Sequence, residues 1–119
     1  MLPDELRDHL RSRKATGEEQ PFGPDVLVYK VKGKMFATLG FEEEDSMGRS
    51  NLKCDPDRAI ELRAEHTAIL PGYHMNKRHW NTLVLDGALP DDLVRELVDH
   101  SWALVVAGLP KRERESVVG

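Results

Sequence analysis

Asp25-Val-Leu-Val-Tyr-Lys-Val31 and Met35-Phe-Ala-Thr-Leu-Gly-Phe41 are two short runs rich in β-branched and aromatic residues, joined only by Lys32-Gly33-Lys34. Two β-type runs about a glycine-containing link predict a hairpin. The pattern leaves the register open, because a one-residue change in the turn exchanges the two faces of both strands. Upstream, Leu2, Leu6 and Leu10 recur every four residues behind a Pro3-Asp4-Glu5 first turn, which predicts a helix from Pro3 to about Lys14. Thr16-Gly17 and the Gln20 to Pro24 stretch read as breaks.

Downstream, Glu42 to Ser50 reads as an acidic loop and Asn51 to Cys54 as a third strand. Asp55-Pro56-Asp57 opens a second helix reaching about Glu65, with Ile60 and Ala64 on one face. Pro71-Gly72 is a break. Tyr73 to Met75 reads as extended, Asn76 to Arg78 as a turn, and His79 to Leu85 as β again. Pro90-Asp91-Asp92 starts the strongest helix, where Leu93/Leu97 and Val94/Val98/Trp102/Val105/Leu109 repeat at helical spacing until Gly108 and Pro110. The tail from Lys111 to Gly119 reads as frayed. Helix, three strands, helix, two strands, helix is the order of an α+β two-layer sandwich, one antiparallel sheet packed by helices. A length of 119 residues has room for one such domain, with a core over residues 3–110.

Seven aromatics are few for this length, so Trp80 is expected to anchor the core and aliphatic residues to fill most of it. The lone Cys54 cannot form an internal disulfide and reads as a small buried hydrophobe, which fits a reducing compartment. The chain has no apolar run of membrane-helix length and no signal-peptide pattern at its start, so a soluble cytoplasmic protein is expected.

The formal charge of −4 argues against a dedicated nucleic-acid binder, which usually advertises a basic domain. Any such binding must come from a local patch. Two acid-free stretches could supply one: Val26 to Phe41 holds Lys30, Lys32 and Lys34, and His66 to Leu85 holds His66, His74, Lys77, Arg78 and His79. Enzymatic motifs are lacking. There is no glycine-rich phosphate loop, Cys54 has no partner at metal-ligand spacing, and Asp91 and Asp92 read as helix-dipole partners. A non-enzymatic protein without cofactor or metal is expected. Pro71 to Thr82 is the densest segment. Lys77 and Arg78 suit phosphate oxygens, Asn76 and Asn81 suit base edges or turn amides, and Tyr73 and Trp80 suit stacking. The same residues permit a small-ligand pocket at Tyr73, His74, His79 and Trp80.

Pro21-Phe22-Gly23-Pro24, Lys30-Val-Lys-Gly-Lys-Met-Phe-Ala37, Asn51-Leu-Lys-Cys54 and Pro71-Gly-Tyr-His-Met-Asn-Lys-Arg-His-Trp80 together resemble the MmcQ/YjbR-like family of small bacterial proteins, over roughly Leu6 to Pro110. The resemblance implies an α-β(3)-α-β(2)-α sandwich with a sheet like those of secretion chaperones and frataxin. It also implies DNA binding by a double wing of hairpins. Carried over by position, that surface falls on Lys53, His74, Asn76, Lys77, Arg78 and His79, with Lys32-Gly33-Lys34 as the second wing. The leading expectation is therefore weak, salt-sensitive DNA binding through Lys32, Lys34, Lys77 and Arg78. The alternatives are a chaperone-like module holding a protein partner or a second copy through a sheet face or the final helix, with its apolar stripe of Leu93 to Leu109, and the small-ligand binder.

Overall fold

The hairpin closes in two residues. Val31 pairs with Lys34, and Lys32 and Gly33 between them have φ of 50° and 77°. Two successive positive φ values make a type I′ turn, whose twist matches that of the strands it joins. The structure is a computed structural model describing residues 1–41, 47–73 and 75–118. Its elements are α1 (Pro3–Arg11), β1 (Thr16–Glu19), β2 (Val26–Val31), β3 (Lys34–Phe41), β4 (Gly48–Lys53), α2 (Pro56–Glu65), β5 (Ile69–Pro71), β6 (Trp80–Val84), α3 (Asp91–Ala107) and α4 (Lys111–Val118). The strands form one six-stranded antiparallel sheet in the order β1-β2-β3-β4-β6-β5.

The helices cover one face of that sheet. Leu6 and Leu10 of α1, Ala59 and Leu62 of α2, Val94, Leu97 and Val98 of α3 and Val117 of α4 share a core with Tyr29, Ala37, Leu39, Leu52 and Leu83. The register places those strand residues on a common side, through the pairs Tyr29 with Ala37 and Leu27 with Leu39. Ala37 with Leu52 continues the row across β4, and Ser50 with Leu83 carries it on to β6. The alternate residues, Val28, Thr38, Asn51, Thr82 and Leu70, therefore look away from the helices.

The ladder between β2 and β3 is bulged. Tyr29 pairs with Ala37 but Lys30 with Met35, so Phe36 is the extra residue. The fully buried Ser101 of α3 repairs the defect: its hydroxyl donates to the Phe36 carbonyl and accepts from the Lys53 amide at 2.8 Å. One side chain thereby joins α3 to β3 and β4. The edge strand is tied by a second polar contact. Arg7 of α1 donates to both Glu18 oxygens at 3.0 and 2.8 Å, and the buried Tyr29 hydroxyl donates to Glu18 Oε2 at 2.7 Å.

Several segments differ from the sequence reading. Thr16-Gly17, read as a break, opens β1, and the tail read as frayed forms α4, with Val117 buried. The short strand before the basic turn is Ile69–Pro71, upstream of Tyr73 to Met75. In α2 the buried face is Ala59 and Leu62, leaving Ile60 60% exposed. Trp80 does not anchor the core: it sits partly exposed on the helix-free face, paired with Lys53. Cys54 is buried as expected, and that burial pushes its thiol pKa up. The acidic stretch Glu42 to Asp45 lies outside the described residues. Among the described residues no helix is long and apolar enough to cross a membrane.

Two outcomes follow from the buried polar contacts. Ser101→Ala leaves the Phe36 carbonyl and the Lys53 amide without their partner, and denaturant unfolding is expected to show a loss of about 1–3 kcal/mol; an unchanged midpoint would remove the bridge from the account. The Arg7 hydrogen bond, aided by Tyr29, holds the Glu18 carboxyl down at about 2, against an ordinary 4.5. A depressed carboxyl contributes stability fully above its unfolded value and loses it as pH falls toward its folded one. Wild-type stability should therefore decline between pH 4.5 and 2, and Glu18→Gln should flatten that part of the profile. Parallel wild-type and variant profiles would contradict the assignment.

Candidate nucleic-acid interface

Strand direction decides where the basic residues meet. β2 runs toward the Lys32-Gly33 turn and β3 runs away from it. β4 runs back the same way to finish at Lys53, and Lys53 pairs with Trp80, where β6 begins. Pro71, the last residue of β5, pairs with Asn81. The turn at Lys32, the end of β4 and the 72–79 connection therefore all lie at one end of the sheet. β4 separates the two projections, and three strand spacings put their centres ~14 Å apart. Between them the floor is set back. Lys34 lies three residues past the Ala37–Leu52 pair, whereas Lys53 lies only one past it.

The 72–79 connection is held from below. Arg63, in the last turn of α2, donates to the Lys77 carbonyl at 2.9 Å and to Asn81 Oδ1 at 3.2 Å. Asn81, 2% exposed, passes the link on through Nδ2 to the Ala59 carbonyl at 3.4 Å. Asn81 is thus committed to the interior. Asn76 is a turn residue, its Oδ1 accepting the Arg78 amide at 2.9 Å. The His79 carbonyl accepts from Cys54 at 2.8 Å, which extends the β4–β6 ladder to the foot of the loop. Gly72 is required by close approach, since a Cβ there would stand 2.8 Å from Trp80 Cβ and 2.9 Å from its carbonyl.

Lys32, Lys34, Lys77 and Arg78 are exposed, and Lys53 is half-buried. Lys77 Nζ donates to the Gly72 carbonyl at 3.2 Å, which keeps its chain folded over its own loop. None of the five forms an ion pair among the described residues, whereas elsewhere Arg7, Arg13, Lys30, Arg58 and Arg95 each have a carboxylate partner. Asp55, the acid nearest Lys53 in sequence, caps α2 by accepting the Arg58 amide at 3.4 Å. Its own amide donates to His100 Nε2 at 3.2 Å, and burial lowers the pKa of that imidazole. Lys14, which the sequence reading did not single out, is exposed at the same end, just ahead of β1. Arg63 was missed as well, since nothing in sequence marks a helical arginine as the support of a distant loop.

The predicted residues are thus brought together except for His74, which lies outside the described residues. No group of three or more potential metal ligands occurs among the described residues. The void beneath Lys53 and Cys54 is about 10 Å³, too small for an organic ligand. A larger groove of about 310 Å³, lined by Leu2, Met47, Leu85 and Asp91 among others, opens at the opposite end of the sheet.

Comparison with known proteins fits this architecture. The family model YjbR matches residues 11–104. The Escherichia coli O157:H7 protein YbdF is 39% identical over 97 residues, covering 82% of this chain and 78% of its own. The Escherichia coli K12 protein YjbR is 38% identical over 104 residues, 86% of each chain. Among solved structures, Deinococcus radiodurans protein DR2400 superposes with a TM-score of 0.86 at 38% identity, over 98% of this chain and 90% of that one. A Pseudomonas syringae protein gives 0.77 at 28% identity, over 87% and 98%. From the extent of the family match and the identity to these relatives, the chain belongs to the YjbR family.

Proposed function

We propose that this protein binds DNA without catalysing a reaction on it, through phosphate contacts made by the Lys32–Lys34 turn and the 72–79 loop. The observation that carries this reading is that both projections leave the same end of the sheet with cations that have no carboxylate partner among the described residues. The backbone at Lys32 adds support. A non-glycine residue at φ 50° costs about 1 kcal/mol that asparagine or glycine would largely avoid. A lysine at that strained tip suits a role for its charge. Burial patterns support this reading over the apolar-stripe alternative, because Val105, Val106 and Leu109 are consumed in the core. A protein-partner reading keeps one observation of its own: Leu2, Phe22 and Phe41 are 67%, 77% and 54% exposed toward the end of the sheet that bears the larger groove. The two readings use different ends of the molecule, so variants separate them.

Four phosphate contacts give a slope of about −3.6 for log affinity against log salt on duplex DNA, and about −2.8 on a single strand. Anisotropy titrations of a labelled oligonucleotide from low to moderate salt should find such a slope, and Lys77→Ala/Arg78→Ala should cut affinity and flatten it. Lys32→Asn should raise thermal stability by up to ~1 kcal/mol while weakening binding. No binding at low salt, or equal binding by the double variant, would overturn the proposal.

A further inference from the structure

We infer that the form of DNA this site prefers is a single strand, seated on the helix-free face of the sheet where Lys53, Trp80 and Tyr73 come together. The inference rests on the phosphate-binding reading above and adds where the bases go. All four helices pack on the other face, so this one is free of them among the described residues. Its strand residues include cations and no carboxylate: strands β2 to β6 contain no aspartate or glutamate, and Lys30, Arg49 and Lys53 alternate onto this side, whereas Lys34 pairs with the core residue Val31. The acid of β1 nearest this face, Glu19, is paired with Lys30 at 2.9 Å.

The face has stacking platforms as well as cations. Trp80 sits beside Lys53 in the cross-strand pair that ends β4, partly exposed. Tyr73 is 51% exposed, and its amide is fixed by donation to Thr82 Oγ1 at 2.9 Å. Thr82 in turn donates to Asn51 Oδ1, and the Asn51 amide donates to Thr38 Oγ1 at 3.2 Å. This chain of bonds holds the Asn51 side chain by its oxygen. Exposed aromatic rings beside a cation at the rim of a sheet face are an arrangement that holds single strands, with bases stacked on the rings and phosphates on the cation. A duplex can lay phosphates on the two projections, but its bases stay stacked on one another and are not offered to the rings of Tyr73 and Trp80.

The test compares three labelled probes at one low salt concentration: dT₁₂, an abasic strand of equal length, and a 12-base-pair duplex. Wild type should hold dT₁₂ at least about fivefold more tightly than either of the others. Tyr73→Ala and Trp80→Leu should each weaken dT₁₂ by about fivefold or more, leaving the abasic strand and the duplex within twofold. Circular dichroism checks the fold of each variant, and if Trp80→Leu fails to fold, the surface variant Tyr73→Ala decides. Equal affinity for dT₁₂ and the abasic strand, or a folded Tyr73→Ala with unchanged dT₁₂ binding, overturns the inference. If Lys77→Ala/Arg78→Ala still weakens all three probes in that case, the phosphate reading stands and only the stacking is lost. Failure of all three probes to bind removes both.

Discussion

The register of β4 is the constraint on which the rest depends. That strand lies between two hairpin-like units, β2–β3 on one side and β5–β6 on the other, and it aligns both by its own hydrogen bonds. The Ala37–Leu52 and Lys53–Trp80 pairs set the two projections level. At its end β4 has lost its regular partner to the bulge at Phe36, and Ser101 substitutes a hydroxyl for the missing ladder contact. A slip of one residue here would turn the face of Leu52 outward and push the two tips out of line. The same helix that fills the core thus fixes the geometry of the basic end.

That geometry also reconciles a negative chain with the polyanionic ligand proposed for it. The net charge of −4 is a sum over the whole chain and not the charge of any one surface. Helices α1, α2, α3 and α4 bear Asp4, Glu61, Glu96, Glu113 and their neighbours, while β2 to β6 bear none. Three of the helical carboxylates, Asp99, Glu96 and Asp92, are paired with Arg13, Arg58 and Arg95. In the proposed reading a phosphate meets the sheet end at short range, and screening over about 10 Å at 0.1 M salt hides the rest of the molecule. The arrangement favours weak, salt-dependent attraction over the long-range steering of a strongly basic protein.

Much of this was legible in the sequence, for identifiable reasons. The α+β sandwich followed from glycine-linked β-branched runs and from the helical spacing of Leu93 to Leu109, because hydrophobic period survives without tertiary information. The basic clusters were legible as acid-free stretches. Other features were not. The β1 strand is only Thr16-Gly17-Glu18-Glu19, with no apolar alternation, and exists because Arg7 and Tyr29 hold Glu18. Helix α4 is polar apart from its end, where Val117 docks into the core. In α2 the sequence offered Ile60 as the obvious core residue, yet helix orientation buried the smaller Ala59 instead. Trp80 was read by composition, which favours burying a scarce large ring, whereas its face was set by the Lys53 pairing. At the site, the lysines could be named but not Arg63, since support across two elements has no local pattern.

The most direct measurement of the central claim is a residue-resolved map of contact on the folded protein. In an NMR titration of the ¹⁵N-labelled chain with a short oligonucleotide at low salt, amide shifts should concentrate at residues 32–34, at Lys53 and over residues 75–80. Phe22, Phe41 and α4 should stay still. Shifts confined to the helical layer or to the Leu2, Phe22 and Phe41 end would contradict the account.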